Sequence, residues 1–269
     1  MHEWRAGGAT PPTTTRQPLD DARVTKRREV PYAPPPATAV RVVALGDLLP
    51  PSRPIPPKQR ERLGFVDPHP RGPDIWCAGD ISLLSRPCVA IVETREVSNL
   101  GAARARRLAR ELSAAGIVVV SGLAKGVDTE ALTSAISAGG QVIAVIGTPT
   151  DKAYPAGNRH LQERIYREHL LVSQFPPGSR VFPGNFPTRN KLMAALSDAT
   201  AVIEAGEASG ALHQAAECTK LGRWLFIAQQ GILDDGRLKW PADFTHYLTT
   251  RPLKSTADIL DVVLASGQC

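Results

Sequence analysis

Four short stretches join Gly, Ser or Pro to a basic or short polar side chain, and each follows an apolar run and leads into a stretch of helical period. They are ETREVSNLG at 93–101, with Arg95 and Ser98, and SGLAKGVD at 121–128, with Ser121, Gly122, Lys125 and Gly126. The others are NFPTRNK at 185–191, with Arg189, Asn190 and Lys191, and GEASG at 206–210, with Ser209 and Gly210. A helix N-terminus carries about half a positive charge and several unpaired N–H groups, so small residues and a cation beside it make an anion site. The chemistry expected is therefore a grip on several phosphates of one extended ligand. TRNK, preceded by the Pro/Gly-built loop at 176–184, is expected directly ahead of a short apolar helix. Asp128 is expected to cap the helix after SGLAKG, and Asn158 to cap the one after GTPTDKAYPAGN.

Bond-making groups are not evident. His160, His169, His213 and His246 lack partners at interpretable spacing and are expected in surface or packing roles. Cys77, Cys88, Cys218 and Cys269 form no C-x-x-C pair, which argues against a zinc knuckle or a disulfide framework. No catalytic residue, metal or cofactor is expected.

The elements that position these loops are legible in the hydrophobic pattern. CVAIV (88–92), IVVVS (117–121), VIAVIG (142–147), LLVSQF (170–175), TAVIEA (200–205) and WLFIA (224–228) are short β-branched or apolar runs. They alternate with stretches of helical period such as GAARARRLARELSAAG and ASGALHQAAECTKLG. Continuous apolar strands separated by crossover helices predict an α/β fold: a doubly wound, mainly parallel, extended Rossmann-like sheet covered on both faces. In such a sheet ligands sit outside the carboxyl ends of the strands, where all of these loops fall.

The chain has 269 residues, 42% of them hydrophobic, enough to bury a core, and its net charge of +6 is a mild bias toward polyanions. No apolar run approaches the roughly 18 residues of a membrane span and no signal peptide is evident, so a cytoplasmic protein without membrane contact is expected. Residues 1–38, rich in proline and with a basic KRR at 26–28, are expected to be a disordered arm. Residues 39–73 are an irregular lead-in in which VRVVALGDLL forms a short strand and turn; 74–231 are the core, and 232–269 an extension packed on it.

The core resembles the DprA (Smf) family of DNA-processing proteins. The words that carry the resemblance are AGDISLL before the first strand, AIVETREVSNLG for G-T-R-x-x-S-x-x-G, SGLAKGVD for S-G-L-A-x-G-I-D, and AVIGTPTDKAYPAGN for A-V-L-G-x-G-x-D-x-x-Y-P-x-x-N. SQFPPG, NFPTRNKLMAALS and VIEAGEASGAL follow in the family's order. The resemblance implies sequence-independent binding of single-stranded DNA, homodimerisation, and delivery of the strand to the RecA recombinase during uptake and recombination. The loops named above would follow the phosphates. Phe182, Phe186 or Tyr154 would stack on bases, as a minor term because aromatics are 5% of the chain. The exposed Trp224 and Phe226 would take part in the dimer.

This chain also departs from the family. Glu93 stands where the first loop has Gly, Gln174 where SEFPP has Glu, Ala195 in place of Gly, and His213 and Gln214 in place of an apolar residue and Thr. QQGILDDGRLKW lacks the family's P-G word, and neither a winged-helix domain in the tail nor an N-terminal helical domain in place of the proline-rich segment is expected. Two other readings therefore stand beside strand binding. One is a nucleotide-ligand sensor or phosphoribohydrolase-like enzyme, with Glu93 or Glu204 beside a ribose and a role such as phage defence; the other is a scaffold whose site has decayed.

Overall fold

The computed structural model describes residues 31–93 and 98–265, the Glu93 side chain excepted. Residues 1–30 of the expected arm, and Arg95, thus lie outside the described residues. The compact unit that carries all the elements begins at Tyr32. Its first elements are β1 (Val40–Ala44), the single turns α1 (Leu45–Leu48) and α2 (Pro57–Arg60), and β2 (Asp74–Gly79). The alternating part follows: β3 (Cys88–Glu93), α3 (Asn99–Ala114), β4 (Val118–Ser121), α4 (Val127–Ser137), β5 (Val142–Ile146), α5 (Arg159–Glu168), β6 (Leu170–Ser173), α6 (Asn185–Leu196), β7 (Ala199–Glu204), α7 (Gly210–Lys220) and β8 (Trp224–Ala228). The chain closes with the turn α8 (Ala242–Thr245), β9 (Thr250–Leu253) and α9 (Ala257–Val263).

The strands form one sheet in the order β1-β2-β6-β5-β4-β3-β7-β8-β9, in which β3 to β9 run parallel and β1 and β2 are antiparallel additions. Connections step outward from β3 through β4, β5 and β6 on one side, and from β7 through β8 and β9 on the other. The direction reverses between β3 and β7, and that reversal opens a crevice beyond their carboxyl ends. Both faces are covered, as the continuous apolar strands require. In β3, Val89 and Ile91 pack with Leu108, Leu112 and Leu132 of α3 and α4; Ala90 and Val92 pack on the other face with Leu192 and Met193 of α6 and Ala215 of α7. Among the described residues no helix is long and apolar enough to cross a membrane.

The ends of the chain are more structured than expected. The 39–73 segment supplies the edge strand β1 and is strapped down by Arg53, whose side chain is fully buried. Its guanidinium donates to the carbonyls of Leu196, Leu84 and Arg86 and pairs with Asp198 at 3.1 Å. Burial pushes the Asp198 carboxyl above its ordinary range, against the pull of Arg53, the Cys88 N–H and Arg223. Residues 32–38, expected in the disordered arm, are tied to α5. The Tyr32 hydroxyl donates to the Thr150 carbonyl at 2.9 Å and accepts from Gln162 at 2.8 Å, and the Ala33 N–H donates to Glu163 at 2.9 Å.

Trp224 and Phe226 are not left open either. β9 pairs parallel with β8, Phe226 is fully buried, and the Arg251 guanidinium lies 4.7 Å over the Trp224 ring. The residue argument for a dimer through these rings therefore fails.

Candidate nucleic-acid interface

At the carboxyl ends of β3, β4 and β7 lies a cleft of about 800 Å³. One wall is the loop from Ala124 to Asp128 at the start of α4, a second is α6 with the segment before it, and the third is the first turn of α7.

The floor is set by a proline. Pro187 has no N–H to give and is tolerated only in a helix's first turn, so α6 begins at Asn185, upstream of it. TRNK consequently lies inside α6 and not ahead of it, contrary to the sequence expectation, and Arg189 turns inward to become 8% exposed. Its Nη1 lies 3.8 Å from Asp128 Oδ2 and 3.9 Å from Met193 Sδ. The guanidinium passes directly over Gly122, where a Cβ would stand 1.2 Å from Nη1. Gly122 is thus required for close approach by Arg189, a different reason from the tight turn expected of it.

Three more expectations change at this floor. Ser121 is fully buried and its hydroxyl donates to the Ile91 carbonyl at 2.8 Å, so it ties β4 to β3 and is closed to a ligand. Asp128 is not the cap of α4, a position held by Gly126; its carboxylate instead accepts the Ala124 N–H at 3.0 Å and faces Arg189. Asn158 makes no cap bond to α5. Its side-chain amide donates to the Leu123 carbonyl at 2.9 Å and to Thr129 Oγ1 at 2.8 Å, clamping the loop that carries Lys125.

The rim is open. Lys125 is exposed and has no hydrogen-bond or ion-pair partner among the described residues. Ser209 caps α7 by accepting the Ala211 N–H at 3.2 Å, and Gly210 beside it has open space where a side chain would project. Asn190 reaches from α6 to the Gly210 carbonyl at 3.4 Å. With its amide oriented to satisfy both atoms, the buried Gln214 donates to the Asn190 carbonyl at 2.7 Å and accepts the Ala194 N–H at 3.2 Å, so the family departure at 214 ties α7 to α6. Phe182 stands at the rim 58% exposed. Phe186 is a wall residue, packed against Gly147 and 5.4 Å from the Tyr154 ring. The segment that presents Phe182 is held by Lys152 Nζ donating to the Ser179 carbonyl at 2.7 Å and the Gly178 N–H donating to Asp151 at 2.8 Å.

Of the expected residues, Ser98 and Lys191 are absent from the lining of this cleft, as are Ser121, Gly122 and Gly126. Lys191 is half-buried on α6 away from the lining. Ser98 caps α3 through the Gly101 N–H at 3.0 Å, while its hydroxyl donates to Glu204 at 2.7 Å. Glu204, assigned to a ribose in the nucleotide reading, is thereby engaged. The β3–β7 pairing places the Glu93 backbone opposite Glu204 after a shift in register, next to Val92 in the lining. Lining residues not expected in the site include Asp128, Gln214 and His213, the last exposed on the α7 wall. The available signal for His213 was its place in a family word that has an apolar residue there.

Comparison with known proteins bears on this geometry. The family model described as DNA recombination-mediator protein A matches residues 61–240. DNA processing protein DprA of Streptococcus pneumoniae is 40% identical over 160 residues, 60% of this chain and 56% of its own length. Protein Smf of Synechocystis is 42% identical over 140 residues, 52% of this chain and 35% of its own. The chain thus spans about half or less of the length of these curated relatives. The solved structure of the Streptococcus pneumoniae DNA processing protein A aligns with a TM-score of 0.66 at 32% identity, over 82% of this chain and 74% of that one. DNA processing protein A from Helicobacter pylori, whose structure concerns a single-stranded DNA binding mode, aligns with a TM-score of 0.65 at 25% identity, over 84% and 96% of the two chains. With the family model covering well over half of it, the chain belongs to the DNA recombination-mediator protein A family.

Proposed function

We propose that the cleft binds single-stranded DNA without sequence preference, as a step in DNA processing and recombination. The observation that carries this reading is the open rim on a braced floor. An exposed unpaired Lys125 and the N-terminus of α7 at Ser209 and Gly210 face one groove, with Phe182 projecting beside them. A cation and the positive end of a helix suit phosphate oxygens of any sequence, and an exposed ring suits any base face. Arg95 joins this proposed set by its place in the sequence of the first loop.

Binding is the chemistry proposed, not hydrolysis. Glu204, one of the two carboxylates that the nucleotide reading sets beside a ribose, already accepts both the hydroxyl and the N–H of Ser98. Delivery of the strand to RecA recombinase, homodimerisation and a cytoplasmic setting extend the proposal through the family resemblance.

Fluorescence anisotropy with a labelled oligonucleotide, competed by duplex and by mononucleotides, tests it. The labelled strand is expected to bind and to be displaced by unlabelled single strands far more readily than by either competitor. Displacement by a mononucleotide at equal concentration would instead support a nucleotide site.

A further inference from the structure

The carboxyl edge of the sheet holds a second cleft, of about 450 Å³, on the face that carries α3 and α9. Leu108, Ile203 and Leu253 give it an apolar floor at the ends of β7 and β9. Arg104, one and a half turns into α3, reaches over the turn that follows β8. There Gln230 (φ −76°, ψ 127°) and Gly231 (φ 85°, ψ −6°) form a type II turn. A Cβ at Gly231 would meet Arg104 Nη1 at 2.7 Å, so glycine serves both the turn and the approach of the guanidinium.

The charges of this cleft do not cancel. Arg107 pairs with Glu111 at 2.7 Å, and Glu111 also accepts from Thr256; Asp234 accepts from Gln229 at 2.5 Å. Both lining acids are thus engaged. Arg104 is half-buried with no hydrogen-bond or ion-pair partner among the described residues, and the Lys254 ammonium likewise has none. A partly desolvated, unpaired guanidinium is an unfavourable state that an incoming anion relieves, and a planar fork suits phosphate best.

We infer that this second cleft binds a phosphate group, with Arg104 as its forked donor and Lys254 as the second cation. The volume suits a nucleotide-sized group. The phosphate has two sources. It belongs to the strand proposed for the first cleft, continuing around the start of α3, or to a free nucleotide. Only the first source rests on the strand-binding reading. β3 and β9 lie three strand spacings apart, roughly 14 Å, a span that one extended strand can cover.

The test uses the full chain, the variants Arg104→Gln and Lys254→Ala, labelled oligothymidylates of about four and about sixteen nucleotides, and AMP. If the strand is the source, each variant weakens the long oligonucleotide about tenfold and lowers its salt slope by about 0.7, while the short one is unaffected. If a free nucleotide is the source, wild-type protein binds AMP in calorimetry, both variants lose it, and neither oligonucleotide is affected. Unchanged affinity for the long oligonucleotide together with no Arg104-dependent AMP binding overturns the inference. Lys254 is exposed, so its variant gives the answer even if Arg104→Gln fails to fold. Lys125→Ala separates the two proposals: if it weakens the short oligonucleotide while Arg104→Gln changes nothing, this inference alone fails.

Discussion

The floor and the rim of the main cleft are built on opposite principles. On the floor, Asp128, Ser121 and Asn158 are buried or half-buried and spend their polar groups on the backbone and on neighbouring side chains, and Arg189 is buried with its Nη1 3.8 Å from Asp128. On the rim, Lys125, Gly210 and Phe182 are exposed and their projecting groups meet solvent. The sequence presents Lys125 and Arg189 as equivalent cations in Gly- and Pro-rich words. The structure makes one a hand and the other a brace. The difference predicts that floor substitutions cost stability as well as binding, whereas rim substitutions cost binding alone.

The largest effect is expected from Arg189→Ala. It leaves the Asp128 carboxylate, which is mostly buried, without its cation and empties the space over Gly122. Breaking such a pair is expected to lower unfolding free energy by about 3 kcal/mol, read by urea denaturation, with strand binding lost as well. Wild-type stability in this variant would make Arg189 a rim residue and dissolve the comparison.

Phe182→Ala should act on the other side of the line. Base stacking on an exposed ring contributes about 1–3 kcal/mol per base, so anisotropy should show weaker binding, while the melting curve stays within about 0.5 kcal/mol of wild type. Equal loss for every homopolymer would sharpen the claim of sequence tolerance. A loss confined to one base would turn Phe182 into a specificity element.

Gly122→Ala sits on the boundary. The added methyl collides with the far end of the Arg189 side chain, which can swing aside, so a smaller stability cost of about 1 kcal/mol is expected. The displaced guanidinium should nevertheless disturb the cleft and weaken the strand. If binding is unaffected, the position of Arg189 does not matter to the ligand.

Much of this was legible in the sequence because the core strands are continuous apolar runs between glycines and crossover helices. CVAIV, VIAVIG, TAVIEA and WLFIA each became a parallel strand with little shift of boundary. The edge strands were harder. β9 reads TRPL, and a proline inside a strand is tolerated only at an edge, where its missing N–H costs no ladder bond. β1 sits among prolines that favour an irregular reading, and what fixes that segment, the Arg53 strap, depends on carbonyls brought together only by the fold.

The site was half legible. Ser209 capped its helix as its type suggests, and Lys125 faced outward. The inward turn of Arg189 depended on Pro187 fixing where α6 starts, a signal present in NFPTRNK whose consequence is that TRNK lies within the helix instead of ahead of it. Ser121 failed as a ligand because the last residue of a central parallel strand is covered on both faces. His213 was expected in a surface or packing role, and only its departure from a family word could have pointed to the cleft.

The central claim, that single-stranded DNA lies along the rim of the main cleft, is tested most directly by comparing the salt dependence of binding in Lys125→Ala and Lys191→Ala. Both remove one positive charge, but only Lys125 lines the cleft. A plot of log affinity against log salt should flatten by about 0.7 for Lys125→Ala and keep its wild-type slope for Lys191→Ala. Equal slopes in the two variants, or a loss confined to Lys191→Ala, would contradict the account and move the strand off this cleft.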